Sequence, residues 1–167
     1  MPSSPLLLSI EDLSTSFYAD ETVVKAVRGV DLQVNQGETL AIVGESGCGK
    51  STAAMGVLQL VVPPGRIVSG QVLLDGQNLL DLSARELRKL RWAKLSLIPQ
   101  GAMNSLNPTM KINRQIQDVI DAHLGATSKQ EIRDRILELL QMVGLPERVY
   151  HMYPHQLSGG MKQRVCI

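Results

Sequence analysis

Glu38-Thr39-Leu40-Ala41-Ile42-Val43-Gly44-Glu45-Ser46-Gly47-Cys48-Gly49-Lys50-Ser51-Thr52-Ala53-Ala54-Met55-Gly56-Val57-Leu58 decides the fold. Its middle fills the pattern G-x-x-x-x-G-K-[ST] with Gly44, Gly49, Lys50 and Ser51. Residues 38–43 read as a short buried strand entering the loop, and residues 52–58 can leave it as a helix. Strand, glycine loop and helix are the context in which this pattern cradles phosphate. A chain built this way is expected to bind a nucleoside triphosphate.

A triphosphate brings several negative charges out of water. Glycines let the backbone turn tightly and aim several N–H groups at phosphate oxygens. Gly47 and Gly49 also remove side chains that would block the approach. The following helix adds the partial positive charge of its N-terminus. Lys50 is suited to the β- and γ-phosphates, the Ser51 hydroxyl to Mg²⁺, and Thr52 to a position near the α-phosphate. Cys48 has two readings: a small tolerated loop residue, or a thiol whose modification would block nucleotide entry.

The chain has 167 residues, of which 44% are apolar and 20% charged, the balance of a globular domain with a real core. A net charge of +1 and 3% aromatics argue against a nucleic-acid surface. The two cysteines, Cys48 and Cys166, form neither a metal-ligand cluster nor a disulfide scaffold, which fits a reducing cytosol. No apolar run approaches the roughly 20 residues needed to span a bilayer. The first eight residues lack the basic segment of a signal peptide. Any membrane role would then run through a partner.

Outward from the loop, residues 6–13 and 23–35 read as strands, with Val30–Val34 alternating at period two. Residues 67–77 read as a strand ending at the Asp75-Gly76 turn. Ser83 followed by Glu86 is a capping box that opens a basic helix. Its run of Arg85, Arg88, Lys89, Arg91 and Lys94 reads as a solvated face. Residues 94–100 read as a short strand that delivers Gln100 to a loop. From about residue 101 the texture becomes helical. Ile116, Val119 and Ile120 share a face. Ser128 and Glu131 form a second capping box, and Ile132, Ile136, Leu139, Leu140 and Val143 form an apolar stripe that packs a core. Gly144 and Pro146 stop it. The expected division is a nucleotide-binding region over 1–100 and a helical region over 101–167.

Leu157-Ser158-Gly159-Gly160-Met161-Lys162-Gln163-Arg164 is the second motif. Ser158 can cap a helix over 161–167, and Gly159-Gly160 leave backbone N–H groups open. This would be a second anion-binding helix end in one chain. Two such ends suggest two chains sharing nucleotides, each held between the loop of one copy and the Ser-Gly-Gly end of the other.

Gly44–Ser51, Gln100 and Leu157–Arg164, in that order, resemble the nucleotide-binding subunits of ABC transporters over nearly the whole chain. The resemblance implies an α/β fold: a RecA-like P-loop NTPase core with an antiparallel β subdomain and an inserted α-helical subdomain, incomplete at the C-terminus. It makes Gly44, Glu45, Ser46, Gly47, Cys48, Gly49, Lys50, Ser51 and Thr52 the Walker A loop. Lys50 and Gln100 then serve catalysis, and Ser51 and Gln100 serve Mg²⁺. Leu157, Ser158, Gly159, Gly160 and Met161 become the signature motif that meets the γ-phosphate held by the opposing subunit. The family usually has Gln where Met161 stands, a departure that leaves the Ser-Gly-Gly backbone intact. Phe17, or alternatively Tyr18, would stack on adenine. The phrases Lys25–Val30, Asn104–Pro108 and Tyr153–Met161 are similar to ATPases of dipeptide, oligopeptide and nickel importers, and 103–108 falls where family members receive the membrane subunit.

The implied cofactors are ATP and Mg²⁺. The implied partners are a second ATPase subunit, identical or related, two transmembrane permease subunits and, indirectly, a solute-binding protein, with no nucleic acid. The implied location is the cytoplasmic face of the membrane. A non-transport ATPase of the same family and a naturally short nucleotide-binding chain are the alternatives. The family's Asp-Glu strand and downstream switch His have no counterpart here. His123, His151 and His155 precede or adjoin the signature, and His155 suits a local hydrogen-bonding role. Without the water-orienting carboxylate and the central strands, the 167-residue chain alone is expected to fold poorly and hydrolyse ATP feebly.

Overall fold

A computed structural model describes residues 5–99, 101–124 and 128–167. The chain divides into two compact units, one ending at Arg91 and one comprising Trp92–Ile167.

The first unit is built on an antiparallel sheet of order β2-β1-β3-β4. Its strands are β1 (Leu6–Ala19), β2 (Thr22–Asn35), β3 (Gly65–Leu74) and β4 (Gln77–Asn78). β1 and β2 run to 14 residues each and meet in a tight turn, where Ala19 pairs with Thr22 and Asp20 takes φ 46°. The strands outrun the sequence expectation because β1 continues through a bulge. Asp12, at φ 48°, interrupts the alternation between Ile10 and Leu13. Its displaced N–H donates to Asp31 Oδ1 at 2.8 Å. On β3, Gly70 has φ 103°, and a Cβ there would lie 2.5 Å from the Asp12 carbonyl oxygen, so only glycine lets β3 follow the bulge.

The core of this unit includes Leu13, Val72 and Leu79, each 0% exposed. Against it lies α1 (Lys50–Val57), whose buried residues are the small Ala53 and Gly56. A Cβ on Gly56 would stand 3.2 Å from Leu13 Cδ2, so the helix rests close on β1. After the Asp75-Gly76 turn, α2 (Ala84–Leu90) opens with the Ser83/Glu86 capping box formed in both directions.

Two expected strands are absent. Residues 38–43 belong to no sheet, and Leu40, Ile42 and Val43 are exposed, Val43 to 88%. Of the strand expected over 94–100, the described residues 94–99 form none beyond an isolated bridge at Leu95, and Leu97 and Ile98 are exposed. Both have strand composition, but beyond that bridge no neighbour among the described residues pairs with their backbone, and an unpaired strand has no ladder to hold it. The parallel sheet of a RecA-like core is therefore not formed among the described residues.

The second unit is helical. α3 (Ile112–Leu124) and α4 (Lys129–Met142) precede α5 (Gly159–Val165). The Ser128/Glu131 capping box starts α4 as the sequence predicts. The apolar stripe does what its spacing requires: Ile132, Ile136 and Leu140 join Ile112, Ile120, Leu145, Val149 and Leu157 in one buried cluster. Gly144 (φ 67°) follows the C-cap of α4, Val143, and Arg164 of α5 donates to the Gly144 carbonyl at 2.8 Å. No described helix is long and apolar enough to cross a membrane.

Candidate nucleotide-binding site

The loop is held where it runs into its helix. At its exit, Gly49 takes φ 99° as the N-cap of α1. A Cβ there would lie 2.4 Å from the Ala26 carbonyl oxygen and 3.8 Å from Val27 Cγ2. Strand β2 thus presses against the start of the helix, and only glycine permits that approach. Within the loop, the Cys48 N–H donates to the Glu45 carbonyl at 3.4 Å, and Gly47 has φ 80° with open space where a Cβ would stand.

Lys50 organises the interior. Its half-buried ammonium donates to the Gly44 carbonyl at 2.8 Å and to the Glu45 carbonyl at 2.6 Å, with Cys48 Sγ 3.5 Å away. An ammonium has three protons. Two are spent on carbonyls of the loop itself, which fixes the positive charge inside the curve of the backbone. Ser51 is exposed and Thr52 half-buried on the first turn that follows. No acidic residue lies in that turn to compete with a bound anion. A fixed cation, open glycines and an uncontested helix start fit a polyphosphate. Among the described residues no group of three or more His, Cys, Asp or Glu could hold a metal ion.

Of the two aromatics, Phe17 pairs with Val24, a short way along the hairpin from Val27, where β2 meets the loop. Its ring rests on Gly65, where a Cβ would fall 2.5 Å from Phe17 Cε1. The Tyr18 ring lies under the Arg66 guanidinium, 3.9 Å from ring centre to Cζ, so one of its faces is already covered.

In the second unit, Ser158 caps α5: its Oγ accepts from the Met161 N–H at 3.3 Å. The two flanking apolar residues are anchors. Leu157 is 6% exposed within the core cluster, and Met161 packs against that cluster. Gly159 and Gly160 face open space. The exposed part of the motif is therefore Ser158, Gly159 and Gly160, with Leu157 and Met161 holding that turn in place. His155 stacks on Tyr153 at 5.5 Å between ring centres, a local contact. Gln100 lies outside the described residues.

One residue departs from its sequence reading. Arg85, Arg88 and Lys89 are exposed as expected of a solvated face, but Arg91 is half-buried. It donates through Nε and Nη2 to the Leu58 carbonyl at 3.2 and 2.7 Å, and through Nη2 to the Gln59 carbonyl at 3.0 Å. It stands at the C-terminal end of the loop's own helix. The signal was faint: α1 carries no basic residue in its last turn, so a cation there must come from elsewhere.

A lysine pinned by the carbonyls of its own glycine loop places the chain among the P-loop nucleotide-binding proteins. The model of the ABC transporter family matches residues 27–167, and the chain belongs to that family. It is 43% identical over 169 residues to a probable peptide ABC transporter ATP-binding protein of Sinorhizobium fredii, covering 99% of this chain and 50% of that protein. It is 44% identical over 163 residues to the dipeptide transport ATP-binding protein DppD of Caldanaerobacter subterraneus, covering 97% of this chain and 50% of that one. The chain thus spans about half the length of the curated relatives it matches. Among solved structures, the dimeric bacterial ABC transporter cassette MJ0796 matches with a TM-score of 0.82 at 31% identity, over 96% of this chain and 67% of that one. The same cassette in a post-hydrolysis dimer bound to ADP and Pi matches with a TM-score of 0.79 at 30% identity, over the same shares of the two chains.

Proposed function

We propose that this chain is the ATP-binding part of the motor subunit of an importer for peptides or a related small solute. The observation that carries the reading is the Lys50 ammonium, fixed by the Gly44 and Glu45 carbonyls inside a glycine loop. The names of the relatives supply the solute class. ATP would be held by residues 44–52, with its adenine against Phe17 or Tyr18. Mg²⁺ would be shared by the phosphates, Ser51 and Gln100, and would neutralise charge on the phosphoryl oxygens. Lys50 gives the phosphates a charge that needs no rearrangement when they bind.

Ser158, Gly159 and Gly160 would meet the γ-phosphate held by a second cassette, as the dimeric solved relatives suggest. Two permease subunits and, through them, a solute-binding protein complete the proposed assembly, with this subunit peripheral on the cytoplasmic face. Hydrolysis belongs to the assembled transporter.

The test uses the intact natural protein in membrane vesicles with its permease partners. Uptake of a labelled dipeptide is expected to require ATP and to be abolished by Lys50→Ala. Uptake that persists in Lys50→Ala, or ATP turnover that no membrane partner alters, removes the importer reading.

A further inference from the structure

Helix α1 is short. Its eight residues bury only Ala53 and Gly56, a single methyl of side chain between them, and the first large buried side chain belongs to its C-cap, Leu58. At about 1.5 Å per residue it is about 12 Å long, so a tilt of about 5° at one end moves the other by about 1 Å. The phosphate loop sits at one end.

The other end is closed in steps. The Gln59 N–H donates to the Gly56 carbonyl at 3.0 Å and the Leu60 N–H to the Met55 carbonyl at 2.8 Å, around Gln59 in the left-handed conformation at φ 50°. The Gln59 side-chain amide donates to the Leu79 carbonyl. The carbonyls of Leu58 and Gln59 point outward, and the Arg91 guanidinium takes both, with the three bonds given above. Arg91 is itself held in place, because its N–H donates to the Leu87 carbonyl at 3.0 Å and ends α2. The planar guanidinium fixes direction as well as charge, whereas an ammonium is a point charge on a flexible stem.

We propose that Arg91 is a positioning residue for the nucleotide: by clamping the C-terminal end of α1, it sets the axis on which the phosphate loop and Lys50 stand. The inference rests on the reading of residues 44–52 as a nucleotide site.

The test titrates a fluorescent ATP analogue with Mg²⁺ into the intact natural protein and its Arg91→Ala, Arg91→Lys and Lys50→Ala variants. Unliganded melting is measured in parallel. Arg91→Ala is expected to weaken binding about tenfold and Arg91→Lys about threefold, since lysine keeps the charge but loses the fork. A folded Arg91→Ala that melts earlier yet binds like wild type overturns the proposal, because the role is then structural only. Should Arg91→Ala not fold, the lysine variant decides: weaker binding supports the clamp, and an unchanged Kd overturns it. Failure of the site reading looks different. In that case wild type does not bind, or Lys50→Ala binds equally well.

Discussion

Replacing Gly49 by alanine tests whether the loop is held by the strand beneath it. The new Cβ would stand 2.4 Å from the Ala26 carbonyl oxygen. Carbon–oxygen contacts close at about 3.3 Å, so loop and strand must part by about 0.9 Å. The backbone there has φ 99°, and holding an L-residue in such a conformation costs about 1–3 kcal/mol more. A displacement of about 1 Å in a positioned group can cost about 100-fold in function, so ATP affinity should fall by about that factor. The assay is a nucleotide titration of the intact protein, with urea unfolding to measure stability. Two substitutions separate the causes. Gly47→Ala and Gly76→Ala share φ 80° but meet nothing within 4 Å, so each suffers backbone strain without collision. Gly76→Ala lies in the turn after β3 and should leave affinity untouched. If Gly49→Ala binds ATP within about twofold of wild type, or destabilises no more than Gly76→Ala, the account of β2 as the loop's support is wrong.

Ile136, 1% exposed at the centre of the helical unit's core, should cost about 2–5 kcal/mol when cut to alanine; a urea midpoint that does not move would contradict the packing described. Glu86 and Glu131 are held below the ordinary carboxyl value of 4.5, chiefly by the hydroxyls of Ser83 and Ser128 and then by their backbone N–H groups. A depressed folded value means the stabilisation is present above the unfolded value and disappears as pH falls through the folded one. Hydrogen-exchange protection at the first turns of α2 and α4, measured against the intrinsic rate at each pH, should therefore fall as pH drops below 4.5, and substitution of both residues by glutamine should remove that dependence. The thiols should also differ. Cys48 is exposed, whereas Cys166 is half-buried, donates to the Ala102 carbonyl at 3.3 Å and has its thiol pushed up by burial. At neutral pH a maleimide should label Cys48 at least about tenfold faster, as read by peptide mass, and equal labelling would refute the assignment.

What was legible in the sequence was local. The helix that leaves the glycine loop, both Ser-to-Glu capping boxes and the buried Ile132, Ile136 and Leu140 of the stripe are set by residues within a few positions of one another, and these form as read. What was illegible depends on distant neighbours. Residues 39–43 have the composition of a buried strand, but a strand exists only by pairing, and nothing in their own order supplies a partner. The sequence reading ends β1 at residue 13, whereas the strand runs on to Ala19 past a bulge at Asp12 that is accommodated on β3 by the distant Gly70. Arg91 looked like its neighbours Arg88 and Lys89 because helical spacing says which face a residue occupies, not which carbonyls lie 33 residues back along the chain.

The bare segment before the loop has a further consequence. Thr39-Leu40-Ala41-Ile42-Val43 is uncharged, rich in β-branched residues and free of proline, with its backbone outside any sheet. Such a stretch is a template for any similar stretch it meets, its own copy included. Glu38 and Glu45 flank it as gatekeepers whose like charges oppose stacking. That repulsion is screened by salt. Any preparation that leaves this segment uncovered should therefore cloud sooner as ionic strength rises, whereas covering it with a paired strand should remove the effect.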